Sequence, residues 1–118
     1  DGGALGFDTI AAETVIEMRE KYQNIKLVMY LPCYGQSKMW KESEQFRYRM
    51  VLSKADKIIY ITESVYTDDC MKLRNLKMIK DSSFCIAFCL MQKSGTGFTL
   101  RNAENVGIEI VNIADEMY

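Results

Sequence analysis

The stretch Gly2-Gly3-Ala4-Leu5-Gly6-Phe7-Asp8 places three glycines immediately before a predicted helix. Glycine adopts positive φ at little cost and lets a ligand approach the backbone closely. The start of the following helix offers unpaired N–H groups and a partial positive charge. The stretch therefore predicts a phosphate-binding loop, and an ordinary glycine-rich loop before a helix is the alternative.

Outward from this stretch, helical periodicity alternates with short apolar runs. The pattern predicts helices over about 7–22, 41–54, 67–80 and 96–106, and strands over 25–31, 56–62, 84–90 and 109–113. The strand 84–90 is apolar on both faces, as expected of a central strand. The second helix is predicted to carry Phe46, Met50, Val51 and Leu52 on one side and its charged residues mostly on the other. This alternation indicates an α/β fold with a mainly parallel sheet wrapped by helices on both faces.

Length and composition restrict the class of protein. The 118 residues fit one domain, 1–118, and the 48% apolar and 26% charged residues are typical of a globular protein. The net charge of −1, without a basic stripe, argues against nucleic acid as a partner. No apolar run approaches the roughly 20 residues that span a bilayer, so we predict no membrane partner and a cytoplasmic location.

The cysteines show no pattern that holds a metal. Cys33, Cys70, Cys85 and Cys89 form no C-x-x-C pair, and the chain has no histidine. Neither a zinc cluster nor a disulfide framework is predicted. We therefore expect no metal site and interpret these cysteines as buried or incidental thiols, with a redox role as the alternative.

A second glycine loop, Ser94-Gly95-Thr96-Gly97, precedes a later helix, and Arg74 and Asn75 lie on the helix before it. If both loops follow parallel strands, they face one cleft and grip a phosphorylated ligand from two sides. Arginine makes bidentate bonds to phosphate, although an arbitrary arginine is more often a solvated surface residue. Trp40, in the loop after Pro32, either stacks on a base or anchors its own loop.

The motifs resemble, in order, those of YpsA-like proteins of the SLOG superfamily, and the resemblance covers nearly the whole chain. It rests on 2–8, Leu31-Pro32 with Gln36 and Trp40, Met71-x-x-Arg74-Asn75-x-x-Met78, Asp81-Ser82-Ser83 and Gly95-Thr96. The superfamily also contains the DNA-processing protein DprA and the LOG-type cytokinin-activating phosphoribohydrolases. The resemblance implies a Rossmann-like three-layer fold and, as ligand, a nucleotide or an ADP-ribose-like molecule.

Site residues follow from this resemblance position by position. In it, Gly2, Gly3 and Gly6 match the first phosphate loop, and Gly95 and Thr96 match the second. The full predicted set of ligand-binding residues is Gly2, Gly3, Gly6, Asp8, Trp40, Arg74, Asn75, Gly95 and Thr96. We expect a β-branched residue at Gly3 or Gly95 to abolish ligand binding and to leave the fold mostly intact.

One departure from the LOG-type pattern concerns catalysis. Asp8 matches the acid that ends the first motif, and Arg74 matches an arginine that in LOG-type enzymes stands with a glutamate three residues after the Gly-Thr pair. Thr99 occupies that position here. Cleavage of an N-glycosidic bond requires a carboxylate, and a threonine hydroxyl replaces it poorly.

We therefore predict a binding or sensing module without assigned catalytic residues, which releases no free base from nucleoside monophosphates. The alternatives are a nucleotide phosphoribohydrolase and a DprA-like role on single-stranded DNA. The second alternative is weakened by the balanced charge and by the lack of closely spaced aromatic residues.

The resemblance also implies that the family's first strand, first helix and most of its second strand lie before Gly2. We therefore expect 1–118 to be a domain that is partial at its N-terminus. The remaining strands would then leave apolar edges with unpaired backbone groups that need cover. The expected consequence is a homo-oligomer, namely a two-fold dimer that buries the exposed strand or the sheet face beside it.

Overall fold

The computed structural model describes residues 1–62 and 69–117. Its helices are α1 Phe7–Lys21, α2 Glu42–Lys54, α3 Cys70–Lys80, α4 Gly95–Asn105 and α5 Ala114–Met117, and its strands are β1 Val28–Leu31, β2 Lys57–Tyr60, β3 Phe84–Ala87 and β4 Glu109–Asn112. The strands form two parallel pairs, β1 with β2 and β3 with β4. This alternation of helices and parallel strands confirms the predicted α/β class and is consistent with a Rossmann-like fold.

Every helix and strand predicted from the sequence is present, with differences at the ends. Each strand is four residues long and therefore shorter than predicted. Thr67 and Asp68, at the start of the predicted helix 67–80, lie outside the described residues. The short helix α5 forms where a polar tail was expected. In the described ranges, no helix is long and apolar enough to cross a membrane.

The chain divides into two compact units, Asp1–Arg74 and Asn75–Tyr118, and the boundary falls within α3. The interpretation of 1–118 as one domain, partial at its N-terminus, stays a prediction. The two-fold dimer also stays a prediction, which light scattering over a concentration series tests.

In the first unit, α1 and α2 pack around β1. The buried core consists of Ala12, Leu27, Met29, Leu31, Tyr48 and Val51. Met29 and Leu31 are fully buried, because alternate residues of a strand point to the same face. The Asp1 backbone lies beside β1, since its carbonyl accepts the Tyr30 N–H at 2.8 Å and its nitrogen donates to the Val28 carbonyl at 3.2 Å. The first glycine loop thus begins next to the strand that forms this core.

The buried face of α2 agrees with the predicted apolar face only in part. Phe46 and Met50 are 58% and 43% exposed. Val51 is buried, Leu52 packs half-buried against the core, and Tyr48 is buried as well. A tyrosine takes the buried position because its hydroxyl reaches a hydrogen-bond partner there, the side chain of Gln36.

In the second unit, α4 packs against β3 and β4. Ala87, Ala103 and Ala114 are buried. Phe84 and Ile86 lie on the other face of β3 and are 45% and 60% exposed, so the expected burial of both faces of this strand is wrong. The apolar composition of β3 indicated that both of its faces are buried, but the described residues around the strand leave one face exposed.

Candidate functional site

The first glycine loop has a backbone that favours glycine. Gly3 and Gly6 have φ of 68° and 80°, in the region that L side chains rarely adopt. A Cβ atom at Gly3 would lie 2.8 Å from Leu31 Cδ2, whereas a Cβ at Gly6 would meet open space. Gly6 is also the residue that precedes α1. The loop therefore lies tight against the core at Gly3 and opens to solvent where the helix begins.

Arg74 lies beneath this loop. Its Nη1 donates to the Gly2 carbonyl, and the residue is only 4% exposed. A Cβ atom at Gly2 would lie 2.6 Å from Nη1 and 2.7 Å from Cζ, so glycine leaves the room that the guanidinium fills. Burial lowers the pKa of Arg74, the nearby Asp8 carboxylate opposes this effect, and the guanidinium remains a cation.

Gln36 holds the next carbonyl of the loop. Its Nε2 donates to the Gly3 carbonyl at 3.3 Å and to Tyr48 Oη at 3.1 Å. Because a carbonyl only accepts, these bonds set the orientation of the Gln36 amide. Gln36 Oε1 is buried and accepts no hydrogen bond from any described residue. The site therefore contains a buried acceptor for one further donor. Burial raises the pKa of the Tyr48 hydroxyl, which keeps it neutral.

These two contacts orient two consecutive peptide groups. In a trans peptide the C=O and the N–H point in opposite directions, and the described chain has no cis peptide. With the Gly2 and Gly3 carbonyls turned inward to Arg74 and Gln36, the N–H groups of Gly3 and Ala4 turn outward. They donate to Asp1 Oδ1 at 2.9 Å and to Asp8 Oδ2 at 3.1 Å. The outward amides of the loop thus bind anionic oxygens.

Further donors lie at the loop tip. Leu5 and Gly6 are exposed, and their N–H groups form no hydrogen bond with the described residues. They stand at the positive end of the α1 dipole. The geometry of the loop is therefore suited to an anion that approaches from solvent.

The second glycine loop belongs to the unit Asn75–Tyr118. Ser94 caps α4, because its Oγ accepts the Gly97 N–H at 3.1 Å. A Cβ at Gly97 would lie 2.1 Å from the Gln92 carbonyl oxygen, whereas Gly95 is exposed and a Cβ there would meet open space. Thr96 is also exposed, and Thr99 Oγ1 donates to the Gly95 carbonyl at 3.1 Å. Close packing requires a glycine at 97, while 95 is open to solvent.

A cavity of about 470 Å³ borders this loop. It lies at the carboxyl ends of β3 and β4, and its lining includes Cys89, Gln92, Gly97, Arg101 and Asn112. The Asn112 side chain bonds both the N–H and the carbonyl of Cys89 at 2.9 Å, which fixes the chain after β3. Among residues 1–62 and 69–117, no group of three or more cysteine or acidic side chains is placed to hold a metal ion.

Trp40 and Asn75 are the other two predicted site residues. Trp40 contacts the Tyr48 ring edge-on, with centroids 5.0 Å apart, and packs partly buried against the core. This geometry is that of a loop anchor, one of the two interpretations open from the sequence. Asn75 follows Arg74 on α3 and is half-buried.

Within the first unit, the structure brings together Gly2, Gly3, Gly6, Asp8 and Arg74. The sequence did not identify Tyr48 as a residue that supports the loop, and it pointed to Gln36 only through the family resemblance. The signal for Tyr48 was its helical spacing from Val51 and Leu52, which continues the apolar stripe of α2.

Comparison with known proteins identifies the family. Residues 1–107 match the YpsA model, the YspA SLOG family. A UPF0398 protein of Bacillus cereus strain B4264 is 35% identical over 95 residues, which cover 80% of this chain and 52% of that protein. A UPF0398 protein of Bacillus thuringiensis strain Al Hakam is 34% identical over 95 residues, with the same coverage of both chains. The chain thus spans about half the length of these relatives. It belongs to the YpsA family of SLOG proteins.

Proposed function

We propose that this chain is a SLOG-type domain that binds a nucleotide or nucleotide-derived ligand through a phosphate group at its first glycine loop. The observation that carries the proposal is the orientation of two consecutive peptides, whose N–H groups at Gly3 and Ala4 donate to carboxylate oxygens. Phosphate oxygens are acceptors of the same kind. Leu5 and Gly6 are exposed residues, and their N–H groups offer the further donors that a tetrahedral anion needs.

Two side chains support the loop from inside. The buried Arg74 guanidinium places a positive charge beneath Gly2, where an electrostatic interaction is stronger than in water. In this proposal Arg74 supports ligand binding by orienting the loop and not by contacting the ligand directly. Gln36 Oε1, a buried acceptor, favours a ligand that also carries hydroxyl or amino donors. A phosphorylated ribose with its base has both kinds of group.

Binding or sensing is favoured over catalysis. Thr99 stands where LOG-type enzymes carry a glutamate, and its hydroxyl is engaged with the Gly95 carbonyl. Nothing at this position activates water or stabilises a sugar cation. Gly95 and Thr96 lie at the start of α4. Their part in ligand binding stays a prediction from the family resemblance.

A titration tests the first loop. We expect AMP, ADP, ADP-ribose or inorganic phosphate to bind, and Gly6→Ala to weaken binding at least about tenfold, because Gly6 has φ 80° and ψ −119°, a region essentially limited to glycine. Isothermal titration calorimetry measures the change. Gly35→Ala is the matched control, since a Cβ there meets open space and Gly35 has no positive φ. If none of the four probes binds this chain or a full-length relative, the proposal is wrong.

A separate variant tests the second loop. Gly95→Val should leave the thermal unfolding temperature nearly unchanged, since a Cβ there meets no atom within 4 Å. From the family resemblance we expect it to weaken ligand binding, because a branched side chain hinders approach to the start of α4. Binding that is unchanged by Gly95→Val would restrict the site to the first loop.

A further inference from the structure

Asp8 places a negative charge at the position that the proposed function assigns to the ligand. It lies in the first turn of α1, and its Oδ2 accepts the Ala4 N–H at 3.1 Å. That amide points outward because Gln36 holds the carbonyl of the same peptide group. The Ala4 N–H has a single hydrogen and serves one strong acceptor at a time.

Gln36 indicates independently that this loop receives a ligand. The residue is 8% exposed, its Nε2 lies against the Gly3 carbonyl, and its Oε1 has no donor among the described residues. A buried acceptor in a native protein normally has a partner. Because both atoms belong to one carboxamide, this acceptor also lies beside the glycine loop.

We infer that the Asp8 carboxylate is an internal occupant of the glycine loop, which an anionic ligand displaces from the Ala4 N–H when it binds. The inference rests on the proposed function and adds how the affinity of that site is set. Asp8 is half-buried, so its carboxylate reaches water once it leaves the amide. The exchange replaces one charge-assisted hydrogen bond by another, and the remaining repulsion between Asp8 and the ligand lowers the affinity.

The substitution Asp8→Asn removes the charge of residue 8 but keeps the acceptor, since the amide oxygen still accepts the Ala4 N–H. We expect this variant to bind inorganic phosphate and AMP about tenfold more tightly than the unmodified chain at low ionic strength, because one like charge near the anion is lost. Glu17→Gln is the matched control. It makes the same change of net charge on an exposed part of α1, and affinity should change less than about twofold.

Amide NMR spectroscopy follows the exchange directly. In Asp8→Ala the Ala4 N–H loses its partner, so its resonance should shift without ligand and shift again with phosphate. Titration calorimetry of the unmodified chain, Asp8→Asn, Asp8→Ala and Glu17→Gln supplies the affinities. Tighter binding by both Asp8 variants, with Glu17→Gln unchanged, supports the inference.

Other outcomes separate its failure from that of the proposed function. If the unmodified chain binds AMP and Asp8→Asn binds it equally or more weakly, Asp8 is a helix cap or a direct ligand contact. The inference is then overturned while the proposed function stands. If neither the chain nor any Asp8 variant binds phosphate or AMP, both are overturned.

Discussion

Replacing Gly3 by alanine is expected to lower the free energy of unfolding by about 3 kcal/mol. Two causes add. A non-glycine residue at positive φ costs roughly 1–2 kcal/mol, and Gly3 has φ 68°. An added methyl in a packed core costs a further 1–3 kcal/mol or so, and a Cβ here would lie 2.8 Å from Leu31 Cδ2 and 3.2 Å from Met29 Cε. This changes the sequence-based expectation that a substitution at Gly3 leaves the fold mostly intact.

Urea unfolding followed by tryptophan fluorescence measures this effect. Trp40 is the single tryptophan and packs against the core of the first unit, so its emission reports on that unit. Gly35→Ala should stay within about 0.5 kcal/mol of the unmodified chain. In a Leu31→Val background, which lacks Cδ2, the cost of Gly3→Ala should fall, because the shortest of its contacts is removed while that with Met29 Cε remains. An equal cost in both backgrounds would show that the core makes room for the methyl.

The order of helices and strands was predictable from the sequence because it depends on local patterns. Val28–Leu31 alternates between buried and half-buried residues, as a strand beside a core does. The positive φ of Gly3 and Gly6 agrees with the expectation that glycines shape this loop. Properties that depend on only a few neighbouring residues could therefore be predicted from the sequence.

The features that the sequence did not reveal depend on distant residues. A glycine is required at position 2 because a guanidinium 72 residues later fills the space of its side chain. The inward turn of the Gly3 carbonyl depends on Gln36, 33 residues away. Phe84 and Ile86 read as buried because composition says nothing of which neighbours cover a strand. No periodicity contains this information.

In the second glycine loop, too, the requirement for glycine comes from a contact with another residue, here one that is close in the sequence. The family motif draws attention to Gly95, yet a Cβ there meets open space. Gly97 is the position where packing demands glycine, because the Gln92 carbonyl occupies the place of a side chain. The motif thus singles out Gly95, whereas the packing of the structure requires glycine at position 97.

Arg74→Met is expected to lower the free energy of unfolding by about 2–4 kcal/mol. Methionine fills much of the space but does not donate, so the Gly2 carbonyl loses its buried partner at a cost of roughly 1–3 kcal/mol. Imperfect packing at a site that is 4% exposed adds to this cost. Ligand affinity should fall as well, because the loop peptides lose the contact that orients them.

A double-mutant cycle with Gly2 shows whether the two residues act as one unit. Gly2→Ala places a Cβ within 2.6 Å of Arg74 Nη1 and so should displace the guanidinium, at a cost of about 1–3 kcal/mol. In the Arg74→Met background the guanidinium is absent and the end of the methionine side chain can move aside, so Gly2→Ala should cost less than in the unmodified chain. The double variant should then be more stable than the sum of the two single costs predicts. Additive costs would mean that Arg74 neither fills the space beside Gly2 nor orients its carbonyl. In that case Gln36 alone would hold the loop amides in their outward orientation.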